Sequence, residues 1–306
     1  MKSRRPVESN SSLRPTIVNF NMSAPQYSSY AQPIPVPQYE DVLLQRFRDL
    51  ASQYEISDKF AAKMRQLEGC DISIILDDSS SMCNPIYPIP AFGKATTRWD
   101  EEKNITGIVV DIASVMDKDG LEVNFLNRGT LSGISHSSQL GSIFSGGPYG
   151  STPLCSMLRS VITSKMSVAK EKKVIIYIVT DGEPDGGAGD LKRILENERH
   201  PNMYVTFVAC TSDLSVVAYL NDWDKTIPRV DVVDDYLSEK AEILRVNPSI
   251  SFTFGDYVVK SLVGAIDSEF DNMDESRRNI YVSIPDPVNK KSTLPIQPTQ
   301  QCCTIL

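Results

Sequence analysis

The chain is predicted to fold as an α/β domain with a doubly wound, mostly parallel sheet flanked by helices. Three observations predict it. The apolar runs at 72–76, 174–179 and 203–210 are rich in Ile and Val and read as strands buried on both faces. Segments with helical spacing separate them. Polar loops bearing Asp, Ser, Thr and Gly follow the first two runs directly, where open α/β sheets place their ligands.

Taken in order, residues 1–38 are rich in Ser, Pro, Asn and Gln, show almost no apolar periodicity, and are expected to be a disordered tail. The stretch Pro33–Tyr39 has the composition of a polyproline II peptide or a plain linker. Two short amphipathic helices are expected in 39–67, one near Glu40–Gln53 and one from a Ser57 cap to about Glu68. The main domain, 68–268, opens with the strand at 71–76, a polar loop and a Pro-rich stretch at 84–95. A helix over Arg98–Met116 follows, with Thr97 and Asp100 as its cap pair. Next come a strand at Leu121–Leu126 and irregular structure with a short helix or edge strand. Pro153 suits the first turn of a helix that runs from Leu154 to about Lys165. The strand at 174–179 is the clearest central one. The remaining pattern is a helix at about 189–198, a strand at Met203–Cys210 and a helix at 213–221. A strand at Val230–Val233 and a helix at about 255–267 complete it, and 269–306 is a Pro/Gln/Ser-rich flexible tail.

Composition narrows the function. A net charge of −8 and a pI near 5.0 argue against nucleic-acid binding, which usually needs a basic face. No N-terminal apolar stretch of signal-peptide type and no run of about 18 apolar residues occurs, so a cytoplasmic, non-secreted protein is expected. Cys70, Cys83, Cys155 and Cys210 are scattered without metal spacing and read as free thiols in a reducing compartment.

The loop after the first strand reads Asp77-Asp78-Ser79-Ser80-Ser81. Its Asp-x-Ser-x-Ser spacing sends one carboxylate and two hydroxyls out of a single turn, enough for one face of an octahedral site. Downstream lie Gly150-Ser151-Thr152-Pro153 and Val179-Thr180-Asp181-Gly182. Hard oxygen donors of this kind suit Mg2+ or Mn2+, and no His or Cys is adjacent to offer a softer site. Asp77 and Asp181 bring at most two negative charges, so a divalent ion bound there keeps its attraction for an incoming anionic oxygen. Asp78, between two of these positions, is expected to point away. Glu183 and Asp185 read as a solvated Gly/Pro turn.

Asp77, Ser79, Ser81, Thr152 and Asp181 match, residue for residue, the metal-ion-dependent adhesion site of von Willebrand factor A domains, which the segment 68–268 resembles. The resemblance implies a Rossmann-like fold and a Mg2+ or Mn2+ ion held by these five residues. It also implies a Glu or Asp carboxylate of a partner protein as the ligand, with Asp181 acting directly or through a water.

The chain ends Gln301-Cys302-Cys303-Thr304-Ile305-Leu306, whose last four residues fit a prenylation signal with a terminal Leu favouring geranylgeranyl on Cys303. One lipid gives only reversible membrane residence, and Cys302 offers a palmitoylation site as the second signal. The expectation is a peripheral protein on a cytoplasmic membrane surface, closer to intracellular members such as the copines than to secreted adhesion proteins. The rival reading is a Mg2+-dependent phosphate-ester hydrolase. Position 79 is Ser where a haloacid-dehalogenase phosphatase would need Asp, and no phosphate-cradling Gly-Lys loop occurs. His136 and His200 are the only histidines and read as surface residues, so catalysis is not expected.

Overall fold

The computed structural model describes residues 39–86, 97–116, 120–211, 218–220, 222–267 and 269–270. The tails read at 1–38 and beyond 270, and with them Cys302 and Cys303, lie outside these residues, as do most of the 84–95 stretch and most of the helix expected at 213–221.

Six strands form one sheet: β1 (Asp71–Leu76), β2 (Leu121–Phe125), β3 (Gly129–Ile134), β4 (Val174–Thr180), β5 (Met203–Ala209) and β6 (Val230–Val233). Their order is β3-β2-β1-β4-β5-β6, with β3 antiparallel to β2 and every other pair parallel. The apolar run of β4 is buried at all seven positions because the sheet is covered on both sides. Side chains alternate between the two cores. Ile72, Ile74, Leu76, Ile175, Tyr177 and Val179 enter one, and Ile75, Val174, Ile176 and Ile178 enter the other. Fully buried Ile74, Ile176 and Ile178 each contribute roughly 1.5–3 kcal/mol by leaving water.

The first core is closed by α1 (Tyr39–Gln53), α2 (Asp58–Lys63), α3 (Arg98–Met116) and a late helix at Phe254–Val263. Phe47, Phe60 and Met64 are buried in this same core, so the 39–67 helices are integral to it. A short α4 (Gly141–Phe144) contributes Phe144, which packs against Trp99 and Phe125. The second core lies under α5 (Leu154–Lys165), α6 (Ala188–Asn197) and α7 (Trp223–Thr226). After β6 come α8 (Tyr236–Val246) and α9 (Phe254–Val263).

Several boundaries differ from the sequence reading. The second helix is α-helical only to Lys63 and tightens to a 3₁₀ turn over Met64–Leu67. Helix α5 keeps the bounds read for it, Leu154–Lys165, with Pro153 at its N-cap. Cys210 sits just beyond β5, although its N–H still reaches the carbonyl of Thr180 at 2.9 Å. The irregular region after β2 is an edge strand, β3, followed by short helical turns. Helix α8 was not foreseen. Asp235 starts it, accepting from the N–H groups of Leu237 (3.0 Å) and Ser238 (3.2 Å). Its buried stripe is Tyr236, Glu239 and Ile243, and a charge at the middle position breaks the apolar period.

Candidate metal centre

The strand order reverses direction between β1 and β4, the switch point past whose carboxyl ends open α/β sheets place their ligands. Asp77 follows β1 and Asp181 follows β4, so the fold brings together two residues more than a hundred positions apart. Both carboxylates are fully buried, and Ser79 is 2% exposed. A chain of hydrogen bonds links them. The N–H of Ser79 donates to Asp77 Oδ1 at 3.0 Å, the hydroxyls of Ser79 and Ser81 are 3.0 Å apart, and Ser81 Oγ donates to Asp181 Oδ1 at 2.7 Å.

The third predicted loop lies beside the first. Ser80 donates through its N–H (3.2 Å) and its hydroxyl (3.1 Å) to the carbonyl of Gly150, and the N–H of Tyr149 donates to the carbonyl of Asp78 at 2.7 Å. Gly150 has φ of +89°, and a Cβ there would fall 2.4 Å from Asn127 Oδ1, so this seam admits only glycine. Thr152 is half-buried and bonds through its backbone to Asp185, donating at 3.2 Å and accepting at 2.9 Å. Among the described residues no hydrogen bond joins its hydroxyl to the other four. The structure therefore gathers Asp77, Ser79, Ser81 and Asp181 directly and holds the Thr152 loop alongside. Glu183 and Asp185 are exposed, as expected of the turn.

Asp78 turns away from the cluster, as read from the loop. It accepts from the N–H of Asn127 at 2.7 Å and lies 3.5 Å from the Arg128 Nε. Arg128 stacks on Trp99 and Tyr149 and also donates to the carbonyls of Ile143 and Gly147. His136 is exposed and caps the 3₁₀ turn at 137–140, while His200 is half-buried and accepts from the N–H of Asn202. Neither joins the cluster.

Three residues of the site were not read from sequence. Thr180 donates to Asp77 Oδ2 at 2.6 Å, Glu102 Oε1 accepts from the Asp77 N–H at 3.0 Å, and Arg98 Nη1 lies 2.7 Å from Asp181 Oδ2. A signal for Glu102 was present. It precedes Ile105, Thr106 and Val109 at spacings of three, four and seven, which places it on the buried stripe of α3.

The electrostatics are lopsided. Asp78 has Arg128 and Asp181 has Arg98, but among the described residues no cationic side chain pairs with Asp77. Burial pushes the Asp77 carboxyl up; hydrogen bonds from Ser79 and Thr180 oppose this, and the nearby Asp181 charge adds to it. Burial also drives Glu102 well above the usual carboxylate range, reinforced by the charge of Asp77, and its Oε2 has no hydrogen-bond partner. Buried anionic oxygens beside neutral hydroxyls form a donor set suited to a hard divalent cation. Among the described residues no group of three or more His, Cys, Asp or Glu is placed to hold a metal, so a cation here would rest on two carboxylates and hydroxyls.

The neighbouring Glu101 carries a separate pH signal. Burial, then the charge of Asp235, pushes its carboxyl from an ordinary 4.5 up to about 7. A carboxyl raised in the folded state stabilises the fold fully below its unfolded pKa, and that stability is lost as pH rises through the folded pKa. Between pH 4.5 and 7.5 this one group removes roughly 3 kcal/mol. Glu101→Gln is expected to flatten urea-unfolding stability over that window relative to the parent. Equal slopes for the two proteins would refute the assignment.

No family model matches the chain, and no curated protein matches it.

Proposed function

We propose that the chain is a divalent-metal-dependent protein-binding module, built on a von Willebrand factor A-like domain and tethered to a cytoplasmic membrane surface by a C-terminal lipid. The observation that carries the metal reading is Asp77: a fully buried carboxylate with no cationic side-chain partner among the described residues, joined through Ser79 and Ser81 to Asp181 at the reversal of strand order. Asp77, Ser79 and Ser81 would hold Mg2+ or Mn2+, with Asp181 and Thr152 completing the set directly or through water. The bound ion supplies an electrophilic position for an anionic oxygen. Ser79 and Ser81 add no charge, which preserves that attraction, and the resemblance of the five residues to the adhesion-site motif makes the ligand a partner's Glu or Asp.

Calorimetric titration with Mg2+ and Mn2+, in the parent and in Asp77→Ala, tests the site. Capture from a native lysate with and without chelator then tests the binding role. Metal-stimulated phosphatase turnover that vanishes in Asp77→Ala would replace this reading with the hydrolase one.

The tether rests on Cys303-Thr304-Ile305-Leu306 and on Cys302 beside it. Among the described residues no helix is long and apolar enough to cross a membrane. In a eukaryotic host, Cys303→Ser is expected to move the protein from the membrane fraction to the soluble fraction. Cys302→Ser should leave it prenylated but divided between the two. Intact mass spectrometry of the parent without a lipid would end the tether proposal.

A further inference from the structure

Arg98 is the first residue of α3, and its backbone is firmly placed. Its N–H donates to the carbonyl of Asn84 at 3.0 Å, and the preceding Thr97 closes a reciprocal cap with Asp100 at 3.1 and 3.2 Å. The side chain, 15% exposed, reaches into the site and touches Asp181 Oδ2 at 2.7 Å through one nitrogen. A guanidinium has five N–H donors. Among the described residues, Asp181 is the one hydrogen-bonding partner of the Arg98 side chain.

The structural arginines of this chain look different. Arg199 donates to the carbonyls of Leu195, Met203, Pro228 and Arg229. Arg159 is held by Asp190 and Glu198. Arg128 is stacked between two rings and bonded to two carbonyls. Among the described residues, Arg98 alone of these four stands at the candidate metal centre with most of its donors unengaged.

Its position creates a conflict and an opportunity. One oxygen of Asp181 faces Ser81, and Arg98 holds the other. A divalent cation drawing on Asp181 would share that carboxylate with a guanidinium that repels it. Yet the same guanidinium, released from Asp181, has the planar fork that pairs with a carboxylate through two parallel hydrogen bonds. With both aspartates ionised, the ion and Arg98 together leave one net positive charge at the site, which favours an acidic ligand.

We propose that Arg98 is the site's second anchor: it neutralises Asp181 while no metal is bound, and on metal loading it turns to grip the acidic ligand's carboxylate. This rests on the metal-site reading above. It assigns the ligand two points of attachment, one on the ion and one on Arg98, and so makes a carboxylate a better fit than an amide or a hydroxyl.

The test uses Mn2+ as the metal and propionate, the side-chain analogue of Glu, as the probe. Calorimetry reports Mn2+ affinity, and water-proton relaxation of the Mn2+-loaded chain reports propionate binding. Arg98→Gln is expected to bind Mn2+ about tenfold more tightly, because the competing charge is gone, and propionate about tenfold more weakly, each equivalent to roughly 1.4 kcal/mol. A merely structural arginine would weaken both. Arg98→Lys keeps the charge but lacks the fork, so Mn2+ affinity should stay near the parent's while propionate weakens several-fold. Thermal melts of both variants without metal exclude a folding defect. Unchanged or weaker Mn2+ binding by Arg98→Gln overturns the proposal, as does propionate binding by Arg98→Lys equal to the parent's. If the parent binds Mn2+ no better than Asp77→Ala does, the metal-site reading itself falls and this inference falls with it.

Discussion

Asp77→Ala is expected to bind Mg2+ at least about a hundredfold more weakly than the parent, the largest functional effect of any single change in this chain. Mutation of groups that merely orient metal ligands typically costs about 10–100-fold, and Asp77 is proposed as a ligand itself. Three features meet at its carboxylate, the Ser79 N–H, the Thr180 hydroxyl and full burial, while Glu102 accepts from its backbone N–H. None of them carries positive charge. The same facts predict that the substitution costs the metal-free fold little, because a buried carboxylate without a cationic partner is itself a burden on stability. The difference appears on adding metal. At a hundred times its dissociation constant, Mg2+ should stabilise the parent by about 2.7 kcal/mol and leave Asp77→Ala unmoved. Calorimetry together with melts in chelator and in Mg2+ reads both quantities. Mg2+ affinities within a factor of about three would remove Asp77 from the site.

The largest stability effect is expected at Lys260→Met. Lys260, on α9, lies 2.8 Å from Glu239, on α8, and each side chain is 3% exposed. Removing one member of a buried ion pair typically costs about 3–5 kcal/mol. Replacing both, as Lys260→Met with Glu239→Leu, removes the two buried charges together and should restore most of the loss. Urea unfolding of the two single variants and the double variant closes the cycle. Single variants within about 1 kcal/mol of the parent would show that water reaches this pair.

That pair also explains one failure of the sequence reading. Helix α8 has a capping Asp235 and good helix formers in Leu237, Glu239, Lys240 and Ala241, but its inward face includes Glu239. Periodicity counts such a position as solvent-facing, whereas the approach of Lys260 from another helix marks it as a core residue. The same holds for Glu102. Its spacing to Ile105 and Val109 marks it as inward, yet its role under Asp77 depends on where α3 meets the end of β1.

By itself the sequence determined the α/β class, the positions of the parallel strands along the chain and the residues that end β1 and β4. These are local properties: an apolar run followed by a polar turn names both the strand and its loop. Asp77, Ser79 and Ser81 are close in sequence, so one turn dictates their grouping. The tertiary structure decided the rest. Bringing Asp181 to Ser81, setting Arg98 against Asp181 and packing the Gly150 seam on Ser80 all depend on β4 pairing with β1. That pairing joins residues about a hundred positions apart, and no local preference encodes it. Charge balance at the site was likewise invisible in sequence, because which arginine neutralises which aspartate follows from distance after folding.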